Sequence, residues 1–125
     1  MKSNILFIGR KEKSVWQDFL EVLAVFGSLK IISDRQVETE IGDTEYNLIV
    51  IDAAAVEDLP EMVSELKLIK STLEILIITS APSWVEARNV LRAGASDYLN
   101  RSLTQKEFLS TIKELLDEQR IRSRD

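Results

Sequence analysis

Short apolar runs alternate along the chain with longer segments in which apolar residues recur every three or four positions. The runs lie at 5–8, 29–32, 46–52 and 74–79, and the stretch 97–100 is too short to be assigned alone but fits a fifth strand. Runs of this length bounded by polar residues are typical of β-strands, and the continuously apolar ones indicate strands buried on both faces. The pattern therefore predicts five strands, each followed by a stretch with helical spacing.

Residues that favour helix starts and ends stand at the borders of the segments between these runs. Serine and threonine hydroxyls cap helix starts, and glycine favours helix ends. The predicted helices run from Ser14 to Gly27, as a short helix within 34–45, over 59–69, from Ser83 to Gly94, and from Thr104 onward with Phe108, Ile112, Leu115 and Leu116 facing inward.

Strands that alternate with helices in this way predict right-handed βαβ units and a parallel sheet with helices on both faces. Five such units form a doubly wound (βα)5 three-layer α/β sandwich, whose parallel five-stranded sheet has the order 2-1-3-4-5. We expect one domain over residues 1–120, followed by a C-terminal tail at 121–125. The stretch 117–125 is charged and is expected to fray.

Composition narrows the possible functions. The 125 residues include no cysteine and no histidine, which excludes disulfides, thiolate nucleophiles, histidine–zinc sites and Ser-His-Asp triads. The net charge of −5 argues against direct nucleic-acid binding. No apolar run approaches the roughly 18 residues of a membrane span, and no signal-peptide pattern opens the chain. We therefore expect a cytoplasmic protein that does not bind membranes.

Asp52 is the first candidate for chemistry, because it ends the most apolar strand at 46–52. In open α/β sheets, ligands bind beyond the carboxyl ends of the strands. Thr79 ends the next long apolar run in the same way, with a hydroxyl. The sequence thus predicts a polar site at the carboxyl edge of the sheet.

A longer motif adds a family resemblance. The stretch 93–103 reads A-G-A-S-D-Y-L-N-R-S-L, which resembles the A-G-A-x-x-Y-x-x-K-P-F stretch of receiver domains of bacterial two-component response regulators. The resemblance implies a flavodoxin-like, chemotaxis-regulator-like fold, in divergent form, and extends over essentially the whole chain. It also implies that Asp52 is the phospho-acceptor, that Thr79 and Tyr98 are pocket and switch residues, and that Arg101 stands where the family has a lysine.

The departures from this family concern the metal site. The resemblance implies an acidic pair at the end of the first strand that holds magnesium, but this chain has Gly9 and Arg10 there. Ser102 also replaces a proline. A single carboxylate is a poor magnesium site, so we expect no cofactor and weak or absent magnesium binding. We hypothesise that Arg10, together with Arg101, forms a permanent salt bridge with Asp52.

Two functions follow from the resemblance. The first is a non-enzymatic phosphorelay switch, in which Asp52 accepts a phosphoryl group from a sensor histidine kinase or another signalling protein. The alternative is a phosphorylation-independent pseudo-receiver that acts as a protein-interaction module, with a possible homodimer through the face Ser83–Leu116. A small enzyme or nucleotide-binder is disfavoured, because Gly9 stands alone and no glycine-rich phosphate loop follows a strand.

Each site residue also has a purely structural interpretation. A polar residue at a strand end often caps a short helix, a hydroxyl often satisfies nearby backbone groups, and aromatic residues often only pack. These interpretations apply to Asp52 as a cap, to Thr79 as a backbone acceptor, to Tyr98, Trp16 and Trp84 as packing or surface residues, and to Arg101 as a solvated cation.

Overall fold

The computed structural model describes residues 3–10 and 15–123. Five parallel strands form one sheet in the order β2-β1-β3-β4-β5. Both the predicted strand order and the doubly wound arrangement are confirmed. The strands are β1 (Ser3–Ile8), β2 (Gly27–Ile32), β3 (Leu48–Asp52), β4 (Glu74–Thr79) and β5 (Asp97–Asn100).

Helices connect these strands at the predicted places. Ser83 caps α4 by accepting the Glu86 N–H at 3.3 Å, as the sequence indicates, whereas the predicted cap Ser14 lies outside the described residues. The helices are α1 (Gln17–Phe26), α2 (Val37–Asp43), α3 (Leu59–Ile69), α4 (Trp84–Ala93) and α5 (Gln105–Ser123), with single 3-10 turns at Asp34–Gln36 and Ala53–Ala55.

The C-terminal helix is longer than the charge pattern suggests. It continues to Ser123, through most of the stretch that was expected to fray and into the predicted tail at 121–125. Gln119 explains part of this continuation, because it is buried and its side-chain oxygen accepts a hydrogen bond from Asn47 at 3.3 Å. The helix is thus tied to the sheet beyond its last apolar contact.

Alternate residues of each strand face two separate cores. Leu48 and Val50 of β3 pack under α1 and α5, where the rings of Phe19 and Phe108 stack at 4.1 Å. Ile49 and its alternating neighbours face α2, α3 and α4 on the other side. Burial of each such side chain stabilises the fold by about 1.5–3 kcal/mol, so the continuously apolar run of β3 accounts for its central place.

Strand register brings the carboxyl ends of the strands to one edge. Ile8 lies opposite Ile51, and Asp52 lies opposite Ile78, one residue before Thr79. This edge therefore collects the residues that the sequence selects as a candidate site. No helix within the described part of the chain has the length and apolar character needed to cross a bilayer.

Candidate functional site

Asp52 ends β3 and also caps the 3-10 turn that follows it. Its Oδ1 accepts the backbone N–H of Ala54 at 3.1 Å. The residue is half-buried, and its Oδ2 has no hydrogen bond or ion pair within residues 3–10 and 15–123. The capping bond fixes the carboxylate in orientation and leaves one oxygen available to a reacting group.

Thr79 lies beside Asp52 at the end of β4. It is 5% exposed, and its hydroxyl oxygen accepts the N–H of Ala81 at 3.1 Å. Its carbonyl accepts the N–H of Arg101 at 2.9 Å. Thr79 therefore holds the turn after β4 and the end of β5 together, next to the carboxylate.

Tyr98 is tied to the start of α4. Its hydroxyl donates to Oε1 of Glu86 at 2.7 Å and accepts the N–H of Ser83 at 3.2 Å. Burial raises the pKa of Tyr98, and Glu86 adds to this rise, while the Ser83 N–H opposes it. The ring thus connects β5 to the first turn of α4 with a neutral, hydrogen-bonded hydroxyl.

Arg101 begins at the carboxyl edge, but its side chain leaves the site. The guanidinium Nη1 lies 3.3 Å from Oδ2 of Asp18 in α1. Its carbon lies 5.6 Å from the ring centre of Trp16 and 5.4 Å from that of Phe19. A guanidinium is attracted to aromatic faces at such distances. The side chain therefore packs against the start of α1.

The hypothesis that Arg10 and Arg101 pair with Asp52 is wrong. Arg10 is exposed and, within the described residues, forms no ion pair with Asp52. It lies two residues after the end of β1, at the solvent edge, where hydration competes well with an exposed ion pair. Asp18 and two aromatic rings hold Arg101 instead.

Among the described residues at the end of β1, Gly9 and Arg10 supply no carboxylate to a magnesium ion. A Cβ added at Gly9 would lie 2.5 Å from a ring carbon of Phe7 and 3.3 Å from the Cβ of Asp52, and Phe7 is fully buried. The described residues contain no cluster of three or more histidine, cysteine, aspartate or glutamate side chains suited to a metal. Magnesium is usually bound by one or two carboxylates together with waters and phosphate oxygens, and Asp52 is the carboxylate that the described residues supply beside Gly9.

Two polar residues near the site escape sequence reasoning. Asp18 lies 83 positions from Arg101, and Glu86 lies 12 positions from Tyr98. Both are acids in the first turn of a helix, where negative charge is generally favourable. An acid is favourable in the first turn of a helix even when it has no side-chain partner. Nothing in the sequence therefore marks either residue as a neighbour of the site.

Comparison with known proteins identifies the fold. No family model matches the sequence, and no curated protein matches it. Among solved structures, the signal receiver domain of an HD domain-containing protein from Pseudomonas fluorescens Pf-5 is similar, with a TM-score of 0.86 and 17% identity. That alignment covers 98% of this chain and 93% of the other.

Two further structures have the same architecture. A CheY-like response regulator receiver domain protein from Methanospirillum hungatei JF-1 gives a TM-score of 0.83 at 18% identity, over 98% of this chain and 99% of the other. The beryllofluoride-activated NtrC4 receiver domain dimer gives 0.81 at 21% identity, over 93% and 98%. The chain therefore has the flavodoxin-like fold of response regulator receiver domains.

Proposed function

We propose that this chain is a receiver domain of two-component signalling in which Asp52 accepts a phosphoryl group. The observation that carries the proposal is the position of Asp52 at the carboxyl edge of a receiver-type sheet, with Oδ1 fixed by Ala54. Thr79 lies beside it with a buried hydroxyl. The domain itself acts as a signalling module without catalytic turnover, and a sensor histidine kinase is the expected donor.

The proposed step is a phosphoryl transfer to a carboxylate. Oδ2 of Asp52 attacks the phosphorus of a phosphohistidine or of acetyl phosphate, and the bond from phosphorus to the donor nitrogen or oxygen breaks. The donor keeps the electron pair of that bond. We expect backbone N–H groups and the Thr79 hydroxyl to contact the phosphoryl oxygens, a form of electrostatic stabilisation common at such sites. Because Gly9 and Arg10 supply no carboxylate for magnesium, we expect slow transfer.

The test is modification by acetyl phosphate, followed by intact mass measurement, with and without magnesium. We expect one added phosphoryl group in the wild-type protein and in the control Asp117→Asn, which changes an exposed carboxylate on α5. Asp52→Asn should gain none. An unmodified wild-type protein, or an Asp52→Asn variant that is still modified, overturns the proposal.

We also propose, from the exposed surface of α4, a second function as a phosphorylation-independent interaction module. Trp84 is 72% exposed, and Val85 and Leu91 are also exposed. The guanidinium of Arg88 lies 4.9 Å from the ring centre of Trp84. Large exposed apolar groups that lie together mark interaction sites, and this face lies within Ser83–Leu116, where the sequence predicts homodimerisation.

Sedimentation at increasing protein concentration tests this second function. We expect the wild-type protein to dimerise without a phospho-donor, and the double variant Trp84→Ala, Leu91→Ala to remain monomeric. The control is Val25→Ala on α1, because Val25 is 74% exposed but lies outside Ser83–Leu116. Equal association of the wild-type protein and the double variant removes α4 as a dimer surface.

A further inference from the structure

The side chain of Arg101 has two places within its reach. Its backbone N–H bonds the carbonyl of Thr79 at 2.9 Å, so residue 101 starts beside β4. β3, which ends in Asp52, is the next strand along. The two residues are therefore separated by two inter-strand spacings, roughly 10 Å. An extended arginine side chain spans most of that distance, yet the guanidinium lies on α1 instead.

Three contacts keep the guanidinium on α1. It forms the ion pair with Asp18 and lies over the rings of Trp16 and Phe19. The aromatic faces belong to buried side chains, with Trp16 only 2% exposed and Phe19 fully buried. Of these three contacts, the one with Asp18 is the charged one.

Asp18 is held in place to make this contact. Its carbonyl accepts the side-chain N–H of Gln105 at 3.1 Å, which ties α1 to the start of α5. Its Oδ1 is buried and has no hydrogen-bond partner among the described residues, while Oδ2 faces Arg101. The side chain of Asp18 is 39% exposed and that of Arg101 38%, so the ion pair is partly solvated, while the other carboxylate oxygen of Asp18 is buried.

We propose that Asp18 is a positioning residue that withdraws the guanidinium of Arg101 from Asp52. This inference rests on the proposed function of Asp52 and specifies how that site is regulated within the chain. Asp52 and Asp18 compete for the same cation. With Arg101 on α1, the phosphoryl group that approaches Asp52 meets one positive charge fewer, and transfer is slow.

The first test uses the fluorescence of Trp16 to report whether Arg101 lies on α1, without any phospho-donor. The chain has two tryptophans, so Trp84→Phe leaves Trp16, under the guanidinium, as the single tryptophan. In that background, Asp18→Asn should change Trp16 emission, and Arg101→Gln should change it equally. The double variant should show no further change. Asp18→Glu should restore the original emission, and the control Glu21→Gln, at an exposed position of α1, should leave it unaltered.

The second test measures the initial rate of Asp52 modification by acetyl phosphate. Asp18→Asn should raise this rate several-fold, Asp18→Glu should return it to the wild-type value, and Asp18→Asn combined with Arg101→Gln should lose the gain. Circular dichroism of each variant checks folding, and a role of Asp18 in stability alone would not produce a gain that depends on Arg101.

The outcomes separate the two proposals. If no variant is modified, Asp52 is not an acceptor under these conditions, and the emission of Trp16 alone decides whether Asp18 positions Arg101. If Asp18→Asn leaves the emission unchanged while Arg101→Gln alters it, Asp18 does not hold the guanidinium. If the emission changes and Asp52 is modified at the wild-type rate, Arg101 is not withdrawn from Asp52.

Discussion

At the amino edge of the sheet, the side chains of Glu74 and Tyr46 are buried and hydrogen-bonded, whereas Asp52 and Tyr98 at the carboxyl edge are only half-buried. Glu74 at the start of β4 is fully buried and accepts a hydrogen bond from Ser96. Tyr46, just before β3, is 6% exposed and donates to Glu40. Asp52 at the opposite edge is bonded only through one oxygen within the described residues.

The contrast separates stability from chemistry. A buried polar group must be satisfied, because an unmade bond costs about 1–3 kcal/mol. A half-exposed group exchanges its partners with water at little cost. The amino edge therefore contributes to the fold, while the carboxyl edge keeps groups that a ligand or a modification can reach. Substitutions at the two edges should differ accordingly.

Glu74→Ala should have the largest effect on stability. It removes a fully buried carboxylate that bonds Ser96, and such losses cost about 2–3 kcal/mol of unfolding free energy. Urea unfolding measures this, with Glu65→Ala, at an exposed position of α3, as the control. If both variants lose the same free energy, the amino edge is no more constrained than the surface.

High pH should break the hydrogen bond between Tyr46 and Glu40 at the amino edge. Burial, followed by the hydrogen bond with Glu40, raises the pKa of Tyr46 from 10.0 to about 12. Because the folded-state pKa is the higher one, the associated stability is complete below pH 10 and is lost as pH rises towards 12. At pH 11 we expect a loss of about 1 kcal/mol.

Urea unfolding at pH 9 and pH 11 checks this loss in the wild-type protein and in Tyr46→Phe. The phenylalanine variant should lose less free energy between the two pH values, because it has no hydroxyl to ionise at this position. Parallel losses in both proteins would assign the alkaline destabilisation to other groups. Glu65→Ala, at an exposed position of α3, is the control and should lose as much free energy between the two pH values as the wild-type protein.

The smallest effect is expected at Arg10. Its side chain is exposed and forms no ion pair with Asp52, so Arg10→Ala should change the unfolding free energy by less than about 0.5 kcal/mol. Arg101→Ala should cost about 1 kcal/mol, because it removes an ion pair and two aromatic contacts. Chemical denaturation of both variants side by side gives the comparison. A larger loss at Arg10 would mean that this arginine has a partner.

The elements of the fold were predictable where pattern and borders agreed. The helix over 59–69 and the strands over 74–79 and 97–100 are found with the predicted bounds, because polar residues interrupt the apolar pattern on both sides. The C-terminal end was missed. The charged residues there suggested fraying. However, Oδ1 of Asp117 and Nη1 of Arg120 lie 3.9 Å apart on one helix face, and the buried side chain of Gln119 anchors that turn.

The positions of the site residues were predictable, but their contacts were not. Strand ends and register place Asp52, Thr79 and the backbone of Arg101 together. The strand pattern predicts this for Asp52 and Thr79, and the family resemblance implies it for Arg101. The direction of the Arg101 side chain depends on Asp18 and on a buried aromatic surface. Asp18 lies 83 positions from Arg101, and no sequence pattern relates residues so far apart. The predicted salt bridge with Asp52 was therefore wrong.

The junction between α1 and β2 limits how the carboxyl edge can respond. α1 ends at Phe26, and β2 begins with Gly27 without a connecting loop. A Cβ at residue 27 would lie 2.0 Å from the carbonyl oxygen of Ser3, so this corner has no slack. The C-terminal end of α1 therefore packs directly against the sheet. We expect a change of partner at this edge to come from rotation of the arginine side chain and not from movement of the helix that carries Asp18.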